Sequence, residues 1–447
     1  MFNIYMASLG CDKNTADSEK MLSILSHRGY MLVNAPEEAD AAVVNTCCFI
    51  QSATEESIQQ LLDLAEYKKD RLQYLIAVGC MAERFKDDMK KNLPEVDALI
   101  GTAGLDQIAD VLDDLRGGKK DVDVFEDINK KFEDQGPVER VITEHPYMEY
   151  LKIAEGCDKR CTYCAIPYFK GKYRSVPMER ILLEARGLVR NGVKELILVA
   201  QETTCYGVDL YGEKRLPQLL QALGRIEGLE WIRLLYCYPE AIDDELIAEM
   251  ASNPKVLHYV DMPIQHTEDS VLKRMGRRID HKGIIDVVAK MRAVMPDIAI
   301  RSTIVTGFPG ETQEDHANLM ETLASLKLDH VGAFTYSREE GTPAFDFPDQ
   351  VEEEMKESYR DDIMELQAEI SNEHNENLVG KELDVLIEGY LPDDGVYMGR
   401  TYRDAPEVDS FVWVKADREL MSGSIVPVQI TDHNEYDLFA DLVEEDY

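Results

Sequence analysis

Short apolar runs alternate with amphipathic segments along the first quarter of the chain. Runs of strand length lie at residues 2–8, 41–46, 74–79 and 96–101. Helical periodicity follows them at residues 16–27, 52–67, 82–92 and 105–115. Short buried strands separated by amphipathic helices are typical of a parallel sheet with helices on both faces. The pattern therefore predicts an open parallel α/β domain over residues 1–115.

A second alternating series is predicted over residues 146–377. It follows a charged stretch, residues 116–145, which has no strong period and indicates a linker with room for a short strand or two. Six apolar runs lie at residues 150–156, 195–200, 231–236, 258–264, 298–307 and 330–337. Helical segments separate them, for example at residues 177–190, 243–251, 284–294 and 314–326. Six βα units predict a TIM-like barrel, or an open fraction of one.

The pattern changes near the end of the chain. A long acidic helix is predicted at residues 351–378, and from about residue 379 short strands and turns replace the helical period. Residues 378–447 therefore form a predicted all-β module, small enough for an OB-like barrel. The fold class is α/β with this third module at its end.

Composition narrows the class of protein. The length of 447 residues predicts two or three domains, and an apolar fraction of 45% excludes wholesale disorder. The start of the chain does not resemble a signal peptide, and no apolar run reaches the roughly 18 residues that a membrane helix needs. We expect a cytoplasmic protein without a membrane partner. A net charge of −38 disfavours nucleic-acid phosphates and favours basic partners, although solubility alone would also explain it.

The nine cysteines favour metal binding or catalysis over disulfides. Three of them form Cys157-x-x-x-Cys161-x-x-Cys164, directly after the first predicted barrel strand. That loop belongs to the face where barrel active sites lie. Three close thiolates suit a soft metal centre, and a 4Fe–4S cube held by only three cysteines keeps one iron open for a ligand. A structural zinc site would want a fourth Cys or His nearby, and the neighbouring sequence has none.

A second set of cysteines is dispersed along the first domain. Cys11, Cys47 and Cys80 each follow a predicted strand directly. The carboxyl ends of parallel strands share one edge of a sheet, where ligands bind, so these thiols should converge in a second three-cysteine site. Core-adjacent cysteines also commonly follow strands, which is the simpler alternative. Cys48 directly follows Cys47 and could compete with it as a ligand. The remaining two, Cys205 and Cys237, are interpreted as structural.

The segment around the clustered cysteines resembles the radical S-adenosylmethionine (SAM) superfamily. Its signature is CxxxCxxC with an aromatic residue, here Tyr163, before the last cysteine. In that superfamily the amino and carboxylate groups of SAM chelate the open iron, and one electron cleaves SAM to a 5′-deoxyadenosyl radical. The cofactor supplies the chemistry, while the protein positions it and excludes water.

The motifs taken together resemble the methylthiotransferase family of radical SAM enzymes over essentially the whole chain. They occur in the family's order: SLGCDKN, NTCCFI, AVGC, KIAEGCDKRCTYC, TGFPGET and FTYSREEGTPA. The resemblance implies an N-terminal cluster domain, a radical SAM barrel and a C-terminal β module called TRAM. It also implies two 4Fe–4S clusters, one on each cysteine trio. The family usually has Gly after the NTC cysteine, where this chain has Cys48, and the ligand role is carried onto Cys47.

Around SAM, the resemblance makes Tyr163 a neighbour of the adenine. Polar residues at barrel strand ends face the site, and they provide weaker candidates, which plain polar loops would explain nearly as well: Gln201, Glu202, Arg301, Thr303 and Gly307. The implied reaction uses two SAM molecules, one to methylate a sulfur at the N-terminal cluster and one to form the radical. No side chain is assigned as an acid or base, because the hydrogen removed is on an unactivated carbon.

Two branches of the family compete. One modifies an adenosine in transfer RNA, and the other the β-carbon of an aspartate in small-subunit ribosomal protein twelve. Residues 378–447 contain 17 acidic and five basic residues, a net charge of −12. An acidic module suits a basic ribosomal protein, whereas an RNA-binding module should be basic. The segment GRTYRDAPEVD, residues 399–409, also resembles the ribosomal-protein branch. We therefore predict this branch, with no direct nucleic-acid binding. An electron carrier and a zinc scaffold are the alternatives from other classes.

Overall fold

The computed structural model describes residues 1–120, 122–132 and 139–443. Parts of two predicted segments lie outside the described residues. They are positions 121 and 133–138 of the predicted linker and positions 444–447 of the predicted C-terminal module.

The N-terminal part, called here the α/β layer, is a five-stranded parallel sheet in the order β2-β1-β3-β4-β5. The central strands β3 and β4 are almost wholly buried, as expected for a parallel sheet with helices on both faces. The strands are β1 Asn3–Ser8, β2 Met31–Leu32, β3 Ala41–Thr46, β4 Tyr74–Gly79 and β5 Ala98–Ile100. The helices are α1 Asp12–His27, α2 Gln51–Glu66, α3 Cys80–Arg84, α4 Lys86–Asn92 and α5 Ile108–Arg116.

The middle part, called here the partial barrel, is a six-stranded parallel sheet in the order β13-β12-β11-β10-β9-β6, with a small β7-β8 ribbon beside it. Its strands are β6 Met148–Lys152, β7 Ala154–Glu155, β8 Arg174–Ser175, β9 Glu195–Val199, β10 Trp231–Leu234, β11 Val256–Asp261, β12 Ala299–Thr306 and β13 His330–Thr335. Its helices are α6 Ile166–Phe169, α7 Met178–Arg190, α8 Val208–Tyr211, α9 Leu216–Gly224, α10 Asp244–Ser252, α11 Asp269–Arg274, α12 His281–Val294, α13 Gln313–Leu326 and α14 Glu353–Glu376. Short 3-10 turns lie at Pro36–Glu38, Tyr67–Lys69, Leu105–Gln107, Pro239–Ala241 and Pro343–Asp346.

The two edges of the partial barrel are covered by helices. Helix α1 of the α/β layer packs on the edge strand β6, and α14 packs on the other edge strand, β13. Side chains alternate along the strands, so one face of the sheet joins the large core under the barrel helices. The opposite face, which includes Tyr150 and Tyr259, packs with Leu386 and Ala405 from the end of the chain.

The C-terminal part is a closed five-stranded barrel in the order β14-β15-β16-β18-β17. Its strands are β14 Glu382–Leu391, β15 Val396–Thr401, β16 Val412–Lys415, β17 Ile425–His433 and β18 Leu438–Leu442. It is fastened to the partial barrel by a buried ion cluster in which Glu195 pairs with both Arg233 and Arg400. The predicted OB-like module is therefore docked against the barrel sheet.

The sequence-based element bounds differ from the structure in several places. Helix α1 begins at Asp12 and not at residue 16, and the run predicted at residues 150–156 is divided between β6 and β7. The helix predicted at residues 82–92 is two helices, α3 and α4, because Phe85 leaves the helical region and turns the chain between them. Strand β2 was not predicted, since two residues carry no periodicity. In the described part of the predicted linker, Val124 forms an isolated β-bridge with Ile100, and that part contains no full strand. None of the helices within the described ranges is long and apolar enough to cross a membrane.

Candidate functional site

The three clustered cysteines lie on the loop that follows β7, at the carboxyl end of the first barrel strand. Cys157 and Cys161 are buried, and Cys164 is partly exposed. Burial, together with the charge of neighbouring thiols, raises the pKa of the Cys157 thiol to about 11 and that of Cys164 to about 12. Thiols of this kind exchange their protons for a metal when it binds. The three thiols therefore lie on one loop and can bind a thiophilic metal centre.

A close approach of backbone to backbone holds this loop. Gly156 has φ of +80°, and a Cβ at this position would lie 2.2 Å from the carbonyl oxygen of Lys172. Only glycine fits such a position. The Gly156 N–H donates to Oε1 of Gln201 at 2.8 Å, and Gln201 Nε2 donates to Glu155 at 2.9 Å. Gln201, predicted as a SAM neighbour, thus supports the backbone directly before Cys157.

Cationic side chains surround the same loop. Lys159, between the first two cysteines of the motif, pairs with Glu202 at 2.9 Å and with Glu240 at 3.0 Å. Arg277 lies 4.4 Å from the ring centre of Tyr238 and donates to the carbonyl of Pro263 at 2.8 Å. Its Nε and Nη1 have no acceptor among the described residues. The charge of Lys159 is thus offset by two carboxylates, whereas Arg277 leaves a buried positive charge beside the loop, which suits an anionic cluster.

Tyr163 belongs to the cysteine loop, and its ring packs against the barrel. Burial raises its pKa well above the usual value, and the charge of Cys161 acts in the same direction. Its ring meets Phe308 edge to face with 6.3 Å between the ring centres. The structure therefore brings Tyr163, Gln201 and Glu202 to the neighbourhood of the cysteine loop.

The other predicted SAM neighbours are on and after β12. Arg301 and Thr303 share one face of that strand. Arg301 pairs with Asp261 at 3.2 Å and with Asp409 of the C-terminal barrel at 3.1 Å. The Gly307 N–H donates to Glu311 at 2.6 Å, and the glycine backbone packs on the side chain of Lys356. Arg301 and Gly307 are thus held by protein partners.

The second trio converges at the carboxyl edge of the sheet in the α/β layer. Cys11 precedes α1, Cys47 follows β3, and Cys80 begins α3 after β4. Burial raises the pKa of Cys47 and of Cys80, and the charge of Cys11 acts on both thiols. The strand order places β1, β3 and β4 side by side, which explains why residues so far apart in sequence meet.

Local hydrogen bonds set the position of each of these loops. Gly10, with φ of +92°, allows close approach, because a Cβ there would lie 2.8 Å from the Cys47 sulfur. The Ser57 hydroxyl accepts from the Cys47 N–H at 3.0 Å and donates to its carbonyl at 2.9 Å. The Thr46 hydroxyl accepts from the N–H of Met81 at 3.2 Å.

Both trios lie near the contact between the α/β layer and the partial barrel. Helix α6 begins two residues after Cys164, and its Phe169 packs in one apolar cluster with Cys48 and Cys80. Lys170 follows, only 4% exposed, with Nζ 3.2 Å from Glu155. Burial alone would lower the Lys170 pKa, but the charges of Cys80 and Glu155 raise it well above its usual value. The segment that carries Phe169 and Lys170, both buried, thus runs from the barrel cysteines to the cysteines of the α/β layer.

The donor sets fit polynuclear clusters better than single zinc ions. Three thiolates on one tetrahedral zinc, with bonds of about 2.3 Å, lie about 4 Å apart. No cysteine trio in the described ranges has its three Sγ atoms within 4.8 Å of one another. An iron–sulfur cube spreads its ligands over separate irons, which suits the wider spacing.

The remaining cysteines differ from the two trios. Cys48 is fully buried beside the Arg84 guanidinium, and burial raises its pKa to about 12. Cys237 is fully buried in the main barrel core. Cys205 packs against that core and lies next to Glu202. Cys48 and Cys237 are thus packed within apolar clusters.

Several charged residues of the site were not singled out from the sequence: Arg84, Lys159, Lys170 and Arg277. Two of them, Lys159 and Lys170, are close to the cysteine motif in sequence, so their proximity was a usable signal. Arg84 and Arg277 gave none, because an arginine in a helix or loop is normally solvated. Only the tertiary contacts reveal that these side chains are buried.

Sequence comparisons cover all three parts of the chain. Residues 3–101 match the family described as uncharacterized protein family UPF0004, residues 151–323 the radical SAM superfamily, and residues 379–443 the TRAM domain. The chain is 51% identical to ribosomal protein uS12 methylthiotransferase RimO of Lachnoclostridium phytofermentans, over 97% of this chain and 98% of the relative. It is 45% identical to the protein of the same name from Clostridioides difficile, over the full length of both.

Solved structures share the fold at low sequence identity. The radical SAM methyltransferase TsrM of Kitasatospora setae, with cobalamin and a [4Fe-4S] cluster bound, superposes with a TM-score of 0.58 and 13% identity. That similarity covers 95% of this chain and 84% of the other. The cobalamin-dependent radical enzyme OxsB, with SAM bound, has a TM-score of 0.52 at 12% identity, over 82% of this chain and 56% of the other.

A parallel partial barrel with CxxxCxxC after its first strand defines a radical SAM enzyme, for which SAM and an iron–sulfur cluster are the cofactors. The α/β layer and the TRAM barrel accompany it over the full length of the relatives. The chain belongs to the RimO family of radical SAM methylthiotransferases.

Proposed function

We propose that this enzyme adds a methylthio group to the β-carbon of an aspartate in ribosomal protein uS12, the small-subunit protein twelve, with two 4Fe–4S clusters and two molecules of SAM. The names of its relatives support the substrate. The observation that carries the two-cluster part is the convergence of two separate cysteine trios on one interdomain contact.

Each trio has its own proposed role. Cys157, Cys161 and Cys164 hold the barrel cluster, to which SAM binds. Cys11, Cys47 and Cys80 would hold the other, which would supply the methylthio group. Together the cofactors supply a carbon-centred radical and a methylthio group. The proposed SAM neighbours are those predicted from the sequence: Tyr163, Gln201, Glu202, Arg301, Thr303 and Gly307.

The residues of the chain itself bind, orient and shield. Gln201 and Gly156 fix the barrel cysteine loop, while Ser57 and Thr46 fix the N-terminal ones. The apolar cluster around Phe169 limits the access of water between the two sites. A reaction between groups carried on two domains depends on such positioning, because misplacement by about 1 Å can cost about 10²-fold in rate.

Charge supports a protein substrate over transfer RNA. The chain carries −38 overall and −12 in residues 378–447. Two of the five basic side chains in this module are already paired, Arg400 with Glu195 and Arg403 with Asp329. A nucleic-acid site needs Lys and Arg available for phosphates. The proposed partners are therefore a basic ribosomal protein or the particle containing it, an electron donor and a sulfur donor, in the cytoplasm.

A substrate comparison tests the proposal. Anaerobically prepared enzyme with SAM and a reductant is offered uS12 and, separately, transfer RNA, and each is analysed by mass spectrometry for one added methylthio group. We expect the aspartate peptide of uS12 to gain it and the nucleosides to remain unchanged. A modified adenosine, or no product from uS12, would overturn the substrate assignment.

The assignment of the two trios is tested separately. The variant Cys157→Ala/Cys161→Ala/Cys164→Ala should form no deoxyadenosine. The variant Cys11→Ala/Cys47→Ala/Cys80→Ala should still cleave SAM but form no methylthiolated peptide. Product from the second variant would show that its cysteines are dispensable for sulfur insertion.

A further inference from the structure

We infer that Arg84 and Glu339 form a positioning latch that fixes the separation of the two cysteine sites and thereby couples SAM cleavage to sulfur insertion. The inference rests on the proposed function, because it assumes that both trios act on one substrate. The two residues come from different parts of the chain, 255 positions apart.

Arg84, the last residue of α3, makes contacts in both parts. Its Nη1 donates to the carbonyl of Cys48 at 2.9 Å, next to the proposed ligand Cys47. The same nitrogen lies 3.4 Å from Oε2 of Glu339, and Nη2 donates to the carbonyl of Glu340 at 2.8 Å. One guanidinium therefore binds the cysteine turn of the α/β layer and the loop after the last barrel strand.

Glu339 completes the latch from the barrel side. Its Oε1 accepts from the backbone N–H of Gln51, the first residue of α2, at 2.9 Å. The same oxygen accepts from the Ser337 hydroxyl at 2.8 Å, which fixes the carboxylate on its own loop. Its side chain and that of Arg84 are about nine-tenths buried. A carboxylate at the start of a helix is also favoured by the helix dipole.

The latch lies beside two loops that carry proposed ligands. Arg84 ends the helix that begins with Cys80, and Gln51 begins α2 directly after the turn that holds Cys47 and Cys48. The charge of Arg84 also reaches Cys164 of the other trio. Other contacts between the two parts include α1, where Asp17 pairs with Lys152, and α6, where the Phe169 carbonyl accepts from the Thr102 hydroxyl at 2.7 Å. The latch thus restrains the side of the site away from α1.

The consequence is a specific effect on coupling. Without the guanidinium, the cysteine turn loses its hydrogen bond at the Cys48 carbonyl, but the two Ser57 bonds to the Cys47 backbone remain, so each cluster should still assemble. What changes is the distance between the two centres. Because group transfer needs the reacting atoms about 3–3.5 Å apart, the radical should form normally but fail to capture the methylthio group.

The test compares Arg84→Gln with a matched control, Arg403→Gln. Arg403 is a similarly buried arginine that joins the TRAM barrel to the partial barrel through Asp329 at 2.6 Å, and its partners do not include a cysteine loop. For each variant, iron per chain, deoxyadenosine and methylthiolated uS12 are measured together. The spin–spin broadening in the electron paramagnetic resonance spectrum of the doubly reduced protein reports the cluster separation without turnover.

We expect Arg84→Gln to retain iron and deoxyadenosine formation while the ratio of product to deoxyadenosine falls by about tenfold or more. The broadening should change as well, and Arg84→Lys should recover part of both. Glu339→Gln leaves both carbonyl contacts of Arg84 in place and should therefore lower the ratio of product to deoxyadenosine by less. It replaces Arg84→Gln as the test variant if that protein does not fold. Arg403→Gln should keep the parental ratio.

An Arg84→Gln enzyme with the parental ratio and spectrum would overturn the latch, as would an equal loss in Arg403→Gln. Failure of the parent itself to methylthiolate uS12 would instead count against the proposed function. The two failures are therefore distinguishable in one experiment.

Discussion

Removing the carboxylate of Glu195 should destabilise the junction between the TRAM barrel and the partial barrel. Glu195 is fully buried and accepts from Arg233 Nε at 2.7 Å and from Arg400 Nη2. Glu195→Gln keeps the shape but leaves two buried guanidinium groups without their shared counter-charge. Breaking a buried pair by removing one partner costs about 3–5 kcal/mol. Arg400 keeps Glu388 at 2.8 Å, which favours the lower end of that range.

Urea unfolding followed by circular dichroism measures this cost. With a slope of about 3 kcal/mol per molar, a loss of about 3 kcal/mol lowers the midpoint of the affected transition by roughly 1 M. The control is Asp286→Asn, which breaks an exposed pair with Lys282 whose side chains are 60% and 79% exposed. That pair should contribute less than about 1 kcal/mol. Equal midpoints for Glu195→Gln and the control would refute the reasoning.

The same pair gives a signed dependence on pH. Burial alone would raise the pKa of Glu195, but Arg400 and Arg233 outweigh it and hold the pKa below its usual 4.5. A carboxyl group with a depressed pKa stabilises the fold at pH above its unfolded value and loses that effect as the pH falls through its folded value. The difference between the parent and Glu195→Gln should therefore be full at pH 7 and shrink progressively below about pH 4.5.

Three further changes test other parts of the structure. Burial raises the pKa of Glu149 to about 8 despite the nearby Arg140. The free energy of unfolding should therefore decline as the pH rises from about 4.5 to 8. Glu149→Gln should flatten that slope in thermal unfolding, and an unchanged slope would contradict this. Gly156→Ala should lower iron binding at the barrel site, because its Cβ would clash with a carbonyl oxygen. The control Gly187→Ala, in open space on α7, should keep its iron. Equal iron contents in the two variants would contradict this prediction. Cys48→Ala should keep the iron that Cys47→Ala loses, and the reverse result would exchange the two ligand assignments.

Much of the fold could be predicted because its signals are local. Strands such as AAVVNT and ELILV are short, mostly apolar and fully buried, so their composition and length identify them. The convergence of Cys11, Cys47 and Cys80 could be predicted because parallel strands place their carboxyl ends at one edge. The domain boundaries at residues 115, 145 and 377 stay predictions, since periodicity fades gradually at each of them.

What could not be predicted depends on contacts between the parts. Nothing in the sequence of residues 399–409 indicates that Arg400 enters the partial barrel to meet Glu195, because the two residues are 205 positions apart. The roles of Arg84 and Arg277 are hidden for the same reason. Burial of a charged side chain follows from the partner it finds in the folded chain, and that pairing is a property of the docked domains.

Iron and acid-labile sulfide per chain test the central claim most directly. The anaerobically reconstituted parent should hold about eight irons, four per cluster. Each of the two triple-cysteine variants, one per trio, should hold about half of that and keep the cluster spectrum of the other site. A parent with a single cluster, or one triple variant that loses all of its iron while the other loses none, would contradict the assignment of two independent cysteine sites.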